Sequence, residues 1–203
     1  MGIPVLILGE SGSGKSTSMR NFEPEEVRIL NVAGKPLPFR KKIPKADNVG
    51  YGQIEAVIKK AEFKKYVIDD SQYLMAFEMF RKAKDTGYGK FTDMALHFKK
   101  LIDTVIKEAP ADVIVYFLHH VEESENGKIR AKTVGKMLNN QITLEGLFSI
   151  VLLCVSDGSK HKFITQSDGS STAKSPLEMF ETEIDNDLKF VDSTIREYWE
   201  MDE

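Results

Sequence analysis

The sequence predicts an α/β domain whose mainly parallel sheet is covered by helices on both faces. Short apolar runs, rich in β-branched residues, are separated by segments whose apolar residues recur at helical spacing. Strands that are buried on both faces of a parallel sheet have this composition, and helical crossovers connect them. The 203 residues suffice for one such domain spanning 1–203, and they are too few for two full-sized domains.

The first part of the chain begins with a strand and then alternates. A strand at 3–8 ends in Gly9, and a Gly/Ser-rich turn leads into a helix at 15–22. A strand at 27–33 is followed by a Pro-rich basic loop at 34–45 and by a helix at 53–62, whose apolar residues share one face. The next apolar run predicts a third strand at 65–70.

The remaining elements continue this alternation. A helix at 71–85 and a Gly-containing break at 86–90 precede a long helix with apolar residues at 94, 98, 101, 102, 105 and 106. Strands are predicted at 113–118, at 150–155 and, after a turn at 157–158, at 162–165. The last helical region covers 177–199, within an acidic C-terminal helical segment at 176–203.

Charge is distributed unevenly along the chain, whose formal net charge is −3. From 175 to 203 ten acidic residues stand against two basic ones, so this segment carries −8 and the remainder carries +5. The runs 35–45 and 126–136 hold basic residues without acidic ones. This distribution permits a polyanionic partner, although solvated charged faces are the commoner meaning of such runs.

Composition excludes several classes of protein. With Cys154 as its single cysteine, the chain has no internal disulfide framework and no multi-cysteine metal site. The longest apolar stretch, 147–155, is much shorter than the ~18 residues that indicate a membrane span. We therefore expect a cytoplasmic protein that has no membrane partner.

The most specific motif lies between the first strand and the first helix. It has the spacing G-x-x-x-x-G-K-[ST] and consists of Gly9, Glu10, Ser11, Gly12, Ser13, Gly14, Lys15 and Ser16. In such a loop backbone N–H groups surround phosphates, the lysine reaches the β and γ phosphates, and the serine hydroxyl ligates Mg²⁺. These residues and Thr17 predict a nucleotide site, and the lack of a guanine-reading N/T-K-x-D motif favours ATP with Mg²⁺.

Polar residues also follow two later strands, where the carboxyl ends of a parallel sheet meet. If Asp69 holds the metal together with Ser16, Asp70 orients or deprotonates the attacking water; if Asp70 pairs with Ser71 in that role, Asp69 is structural. The sequence leaves both alternatives open, and we take the first as the working prediction. His120, after the strand at 113–118, is predicted to sense the γ-phosphate, although a hydrogen-bonded structural histidine fits equally well.

The order of these parts resembles RecA-like ATPases, in particular the small phage nucleotide-binding proteins of the AAA-type group that includes the RecA-like single-strand annealing proteins. The resemblance covers nearly the whole chain and rests on the segments GESGSGKS, VIDDS, YGKF, VIVYFLHHVEE, GKIRAKTVGKML and GSKHKF. It implies a RecA-like P-loop fold, ATP binding between subunits of a ring or filament, and single-stranded DNA binding in phage recombination or replication. A phage-infected host cell and a single-strand-binding or replication protein are the setting and the further partner that it implies.

The resemblance also assigns roles to residues outside the phosphate loop. It implies DNA contacts by a basic loop that contains Lys128, Arg130, Lys132 and Lys136. Tyr88, Phe91 or Phe39 offers a candidate surface for base stacking, although such aromatic residues are more often packed against their own helices. The turn at 158–162 resembles a hairpin that projects lysines into a neighbouring subunit's ATP site, which implies a catalytic role in trans for Lys160 and Lys162.

The chain departs from this family pattern at one place. RecA-like recombinases carry a catalytic glutamate at the end of the strand that follows the phosphate-loop helix, where this chain reads Asn31-Val32-Ala33-Gly34. Either Asp70 takes over that role, as in the Asp-Asp strand ends of helicase-loader ATPases, or hydrolysis is slow and ATP serves mainly as an assembly ligand.

Three functional hypotheses follow. The first is a DNA-dependent ATPase that binds single strands and acts in phage-type recombination or single-strand annealing. The second is an AAA-type helicase loader or replication accessory ATPase. The third is a nucleotide-gated protein-interaction module with negligible hydrolysis, whose acidic C-terminal segment docks on a partner.

Overall fold

The computed structural model describes residues 1–135 and 143–201. Its strands are β1 Ile3–Gly9, β2 Arg28–Asn31, β3 Lys45–Asp47, β4 Lys65–Asp69, β5 Ile114–Glu123, β6 Ile129–Ala131, β7 Ile150–Ser156, β8 His161–Ile164 and β9 Glu183–Asp185. Its α-helices are α1 Tyr51–Lys60, α2 Gln72–Arg81, α3 Gly89–Glu108 and α4 Leu188–Tyr198, and short 3₁₀ helices lie at Ser16–Asn21 and Leu144–Leu147.

The strands form one mixed, mostly parallel nine-stranded sheet in the order β3-β2-β4-β5-β1-β7-β8-β9, with β6 paired to β5. Every pair from β3 to β7 along this order is parallel, whereas β8, β9 and β6 pair in the antiparallel sense. β5 lies between β1 and β4 and is hydrogen-bonded to both. The carboxyl ends of these three strands therefore meet at one edge of the sheet, which is where ligands bind in open α/β sheets.

Side-chain alternation along the strands divides the core into two layers. Leu6, Leu8 and Phe117 face the layer that α1, α2 and α3 cover. Val5, Ile7 and Tyr116 face the opposite layer, which is covered by α4 and by the 3₁₀ helix at Ser16–Asn21. These results confirm the α/β class, the mainly parallel sheet and the helices on both faces. Across the described residues, no helix has the length and hydropathy needed to cross a membrane.

The predicted helix at 15–22 is a 3₁₀ helix at Ser16–Asn21. Its sequence, STSMRN, places three consecutive hydroxyl residues in the first turn. The Ser18 hydroxyl donates to the Lys15 carbonyl oxygen at 2.5 Å, and the same oxygen accepts from the Ser18 backbone N–H at 3.2 Å. The helix expected at 15–22 is confirmed in position, and it is of the 3₁₀ type.

Within the described part of the C-terminal segment, which ends at residue 201, the helix runs from Leu188 to Tyr198, so the prediction of a helix from residue 177 is wrong for its first part. Residues Glu183–Asp185 form β9, which pairs with β8 at the edge of the sheet, and Ile184 packs against the core. The helix begins after Asp187, whose carboxylate accepts hydrogen bonds from the backbone N–H groups of Lys189 and Phe190.

Candidate functional site

The phosphate-loop motif lies at the sheet edge defined above. It begins at Gly9, the last residue of β1, which stands beside His120 of β5 in the sheet register. Gly12 and Gly14 have φ values of +83° and +101°, in the region that favours glycine. A cavity of about 220 Å³ is lined by Ser11, Gly12, Gly14, Lys15, Ser16, Thr17, Lys35, Pro36, Pro38, Asp69, Asp70 and His120. The loop, both acidic residues and the predicted sensor thus share one cavity, while Glu10 is exposed beside it.

Lys15 is buried and bends back over its own loop. Its Nζ donates to the carbonyl oxygens of Gly9 at 2.7 Å and Glu10 at 2.8 Å. Burial lowers the pKa of this ammonium group, and the nearby Asp70 and Asp69 oppose that shift. The Ser13 hydroxyl is also buried and has no hydrogen-bond partner among the described residues. An ammonium group has three donors, so Lys15 retains one that neither carbonyl oxygen uses.

Ser16 and Asp69 come together although they are distant in the sequence. Ser16 Oγ donates to Asp69 Oδ1 at 2.7 Å, and Asp69 ends β4. Burial raises the pKa of the Asp69 carboxyl, and the hydrogen bond from Ser16 partly offsets this rise. A hydroxyl and a carboxylate oxygen at this separation fit Mg²⁺, which takes one or two protein oxygens and completes its shell with phosphate and water.

The metal would depend on a bound phosphate group. Within residues 1–135 and 143–201, no three His, Cys, Asp or Glu side chains lie close enough to hold a metal ion by themselves. Ser16 and Asp69 would hold Mg²⁺ here, and the ion would supply positive charge to the phosphate oxygens. Ser71, the alternative partner in the sequence-based prediction, instead hydrogen-bonds to Leu118 and His119.

Asp70 follows β4 in a left-handed conformation, with φ of +61°. Its Oδ1 accepts from His120 Nε2 at 3.1 Å, and its Oδ2 accepts from Lys35 Nζ at 2.7 Å. Burial would raise the pKa of this carboxyl, but the bonds from His120 and Lys35 outweigh it, so the pKa lies below its usual value. Asp70 is therefore a carboxylate held between two donors at the wall of the cavity.

The adjacent histidines of β5 have different environments because successive strand residues point to opposite faces. His120 faces the cavity and packs edge-on against Tyr73, with ring centroids 5.4 Å apart. His119 is fully buried, donates from Nε2 to the Lys132 carbonyl oxygen at 2.8 Å and lies 2.9 Å from Ser71 Oγ. Burial lowers the pKa of His119 to about 4. His120 is thus the histidine at the site, and His119 is structural.

Residues from distant parts of the sequence contact the phosphate loop. His161 Nδ1 donates to the Ser13 carbonyl oxygen at 2.8 Å, and its ring lies against Gly14. Asn186 Nδ2 donates to the Gly14 carbonyl oxygen at 3.3 Å and to the buried Cys154 sulfur at 3.2 Å. These contacts connect the loop to β7, β8 and the residues that precede α4.

The basic loop assigned to DNA forms a β-hairpin in which β6 pairs with the end of β5. The hairpin contains Lys128, Arg130 and Lys132 together with Glu122, Glu123 and Glu125, and Arg130 stands directly opposite Glu122. Arg130 Nε forms an ion pair with Glu122 Oε1 at 3.0 Å, and Lys128 and Lys132 are exposed. Lys136 lies outside the described residues. The two strands together therefore present much less positive charge than the basic run alone indicates.

A groove of about 720 Å³ adjoins the phosphate site. Its lining includes Glu10, Ser11, Tyr73, Phe80, His120 and Lys132. Phe80 is 76% exposed, and Tyr73 stacks on Phe77 with ring centroids 5.3 Å apart. Of the aromatic residues expected to stack on bases, Tyr88 is 88% exposed, Phe91 packs near Gly135, and Phe39 packs against the core. The groove thus combines aromatic surface, one exposed lysine and two residues that also line the phosphate-loop cavity, Ser11 and His120.

The two lysines expected to act in trans lie at the β7–β8 turn. Lys160 is exposed, and Asp157 Oδ1 accepts from its backbone N–H at 2.8 Å. Lys162 forms an ion pair with Glu183 of β9 in the same chain. Lys160 is therefore presented to solvent, whereas Lys162 is engaged within its own subunit.

Sequence reasoning missed three residues at the site, namely Lys35, His161 and Asn186. Lys35 belonged to the basic run at 35–45, but its position opposite Asp70 depends on how the loop after β2 folds. His161 and Asn186 reach the phosphate loop only because β8 and β9 extend the sheet beside β7. The chain matches no protein-family model and no curated protein.

Proposed function

We propose that the protein is a P-loop ATPase of RecA-like type that binds ATP with Mg²⁺. The observation that supports this most strongly is the 2.7 Å contact between Ser16 Oγ and Asp69 Oδ1, beside Lys15 and at the carboxyl end of a parallel sheet. Phosphate-loop enzymes need a hydroxyl and a carboxylate at the metal and a lysine at the phosphates, and the fold brings all three to one cavity.

The proposed reaction is attack of water on the γ-phosphorus of ATP. The water oxygen forms a bond to this phosphorus, the bond to the bridging oxygen breaks, and ADP leaves. Asp70 accepts the proton of the water, and His120 orients the Asp70 carboxylate through its hydrogen bond at 3.1 Å. Lys15 neutralises charge on the β and γ phosphates. The low pKa of Asp70 makes it a weak base, which predicts slow turnover.

Isothermal titration calorimetry and a phosphate-release assay test this proposal. We expect the wild type to bind ATP with Mg²⁺ and Lys15→Ala to lose that binding, because the variant lacks the cation nearest the phosphates. Lys41→Ala is the matched control, since Lys41 pairs with Glu23 and is not among the residues that line the cavity. Equal ATP binding by the wild type and Lys15→Ala would contradict the proposal.

A second part of the proposal is single-stranded DNA binding in phage-type recombination or annealing, in the cytoplasm of an infected host. The groove beside His120 supports it, because exposed aromatic rings near a lysine suit stacked bases and their phosphates. On this reading Phe80 and Lys132 contact DNA, and Lys128 lies at the tip of the adjoining hairpin. Assembly into a ring or filament would bring the exposed Lys160 near a neighbouring subunit.

Fluorescence anisotropy with labelled oligothymidylate tests the DNA part separately. Phe80→Ala should weaken binding by an amount equivalent to the ~1–3 kcal/mol of one stacked base, and high salt should abolish the remainder. Leu96→Ala is the control, because Leu96 is also an exposed apolar residue on a helix. If ATP binds and DNA changes neither anisotropy nor turnover, a helicase loader or a nucleotide-gated interaction module fits better.

A further inference from the structure

Lys35 is anchored at its backbone and exposed at its side chain. Buried Asn31 donates from Nδ2 to the Lys35 carbonyl oxygen at 2.7 Å, and Asn31 Oδ1 accepts from the Gly34 backbone N–H at 3.0 Å. The Lys35 side chain is 57% exposed, lies in the wall of the phosphate cavity and places its Nζ 5.0 Å from the centre of the Tyr73 ring. The loop therefore fixes the backbone position of Lys35 and leaves its ammonium group able to move.

The Lys35 ammonium group occupies one oxygen of Asp70, while His120 occupies the other. Both oxygens of this carboxylate therefore already accept a hydrogen bond from a basic side chain. The arrangement keeps Asp70 engaged for as long as Lys35 remains on it. A stronger anion in the same cavity would compete for that lysine.

We propose that Lys35 distinguishes triphosphate from diphosphate by moving from Asp70 to the γ-phosphate of bound ATP. This inference rests on the proposed nucleotide site. The γ-phosphate carries more negative charge than one carboxylate, and the cavity places Lys35 beside the acidic residues beyond the phosphate loop. ADP lacks that group, so Lys35 stays on Asp70. Binding of ATP then frees one oxygen of Asp70 for the attacking water.

Lys35 lies in the loop that follows β2, near the place where RecA-like recombinases carry a glutamate. A cation there gives the cavity a charge that an acidic residue would not supply. Lys35 would also contact the terminal phosphate from within the same chain. The family resemblance assigns such a contact to lysines of a neighbouring subunit. Differential contact with two ligands is the physical basis of discrimination between them.

Calorimetric titration with the ATP analogue AMP-PNP and with ADP, each with Mg²⁺, tests the inference. Lys35→Met should weaken AMP-PNP about tenfold, the value of one charge-assisted hydrogen bond, and leave ADP within twofold of the wild type. Lys35→Arg should restore most of the preference, since it retains the charge. Lys41→Met is the control for loss of a paired lysine from the same basic run.

A second variant, Asp70→Asn, should change the affinity for AMP-PNP in the direction opposite to Lys35→Met. Asp70→Asn removes the anion that holds Lys35, so it should strengthen AMP-PNP binding, and Lys35→Met in the same chain should abolish that gain. An AMP-PNP to ADP affinity ratio that is unchanged in Lys35→Met would overturn the inference and leave the proposed function standing. Equal weakening of both nucleotides would overturn it as well. A wild type that binds neither nucleotide refutes the proposed function itself.

Discussion

Ser16 donates a hydrogen bond to Asp69 across 53 positions of sequence, and this bond joins the phosphate loop to the end of β4. Neither residue is informative alone, because serines are common in turns and acidic residues are common at strand ends. Their contact follows from the sheet order, in which β5 separates β1 from β4, and from the position of Ser16 directly after the loop that follows β1. In the proposed nucleotide site, this pair would hold the Mg²⁺ ion.

Asp69→Asn should make ATP binding insensitive to Mg²⁺. The amide keeps the size of the side chain but loses the charge that a divalent cation requires, so affinity for ATP with Mg²⁺ should fall by ~10-fold or more. Affinity measured in EDTA should stay close to that of the wild type. Calorimetry with and without Mg²⁺ checks this, with Asp103→Asn on the surface of α3 as control. An equal loss in EDTA would show that Asp69 acts through the loop structure instead.

His119 should make the protein less stable at mildly acidic pH. Its pKa is about 4 in the folded protein, against 6.5 for an ordinary histidine, so the unfolded chain binds more protons between these values. Stability that is fully present above pH 6.5 is therefore lost as the pH falls towards 4, by up to about 3 kcal/mol.

Urea denaturation from pH 7.5 to pH 4.5 measures this slope. His119→Asn should be less stable at neutral pH, since it loses the fitted ring, but its stability should fall less steeply with pH. The same change at the half-exposed His97 is the control for replacing a histidine outside the core. Parallel pH curves for the wild type and His119→Asn would show that other groups cause the acid sensitivity.

Asp192 should be the most sensitive position of α4. Its carboxylate accepts from Arg196 Nε at 2.9 Å and from the Tyr116 hydroxyl at 2.8 Å, and both Asp192 and Arg196 are buried. Asp192→Asn removes the anion that faces a buried guanidinium group, which costs about 3–5 kcal/mol. Tyr116→Phe removes one hydrogen bond to a charged group and should cost about 1.5–3 kcal/mol. Urea denaturation at pH 7 compares the two, and a larger loss in Tyr116→Phe would contradict this order.

The central strands were predictable because burial on both faces leaves a continuous apolar run in the sequence. The short strands β3, β6 and β9 were not, since each is only three residues long and shows no run of apolar residues. Such strands form when a neighbouring edge offers backbone partners, as β8 does for β9. The composition of residues 183–185 alone does not indicate that they pair with β8.

The site was predictable to the extent that its residues end strands. Gly9, Asp69 and His120 follow from the rule that ligands bind at the carboxyl ends of parallel strands. The choice between His119 and His120 needs the side-chain register of β5, which adjacent identical residues cannot reveal. Lys35 comes from a loop without hydrophobic periodicity, so its approach to Asp70 depends on tertiary contacts such as those of Asn31.

Gly14 should tolerate no side chain, and His161 is the reason. A Cβ at Gly14 would lie 2.6 Å from His161 Cγ, and the φ of +101° adds strain for any L residue. Gly12 has a similar φ of +83° but nothing within 4 Å of its Cβ position. Gly12→Ala therefore measures the backbone strain, of about 1–2 kcal/mol, and Gly14→Ala measures the strain together with the clash.

A double-mutant cycle between Gly14 and His161 separates these contributions. His161→Ala removes the ring that the new methyl group would strike, so Gly14→Ala should cost less stability in that background, by at least ~0.5 kcal/mol. His161→Ala should have no such effect on Gly12→Ala, because position 12 does not contact the ring. Thermal and urea denaturation of the wild type, the three single variants and the two double variants give the coupling energies of His161 with Gly14 and with Gly12. Strict additivity at Gly14 would mean that the loop moves away from β8 when a side chain is added, and that the contact between His161 and Ser13 does not hold the loop in place.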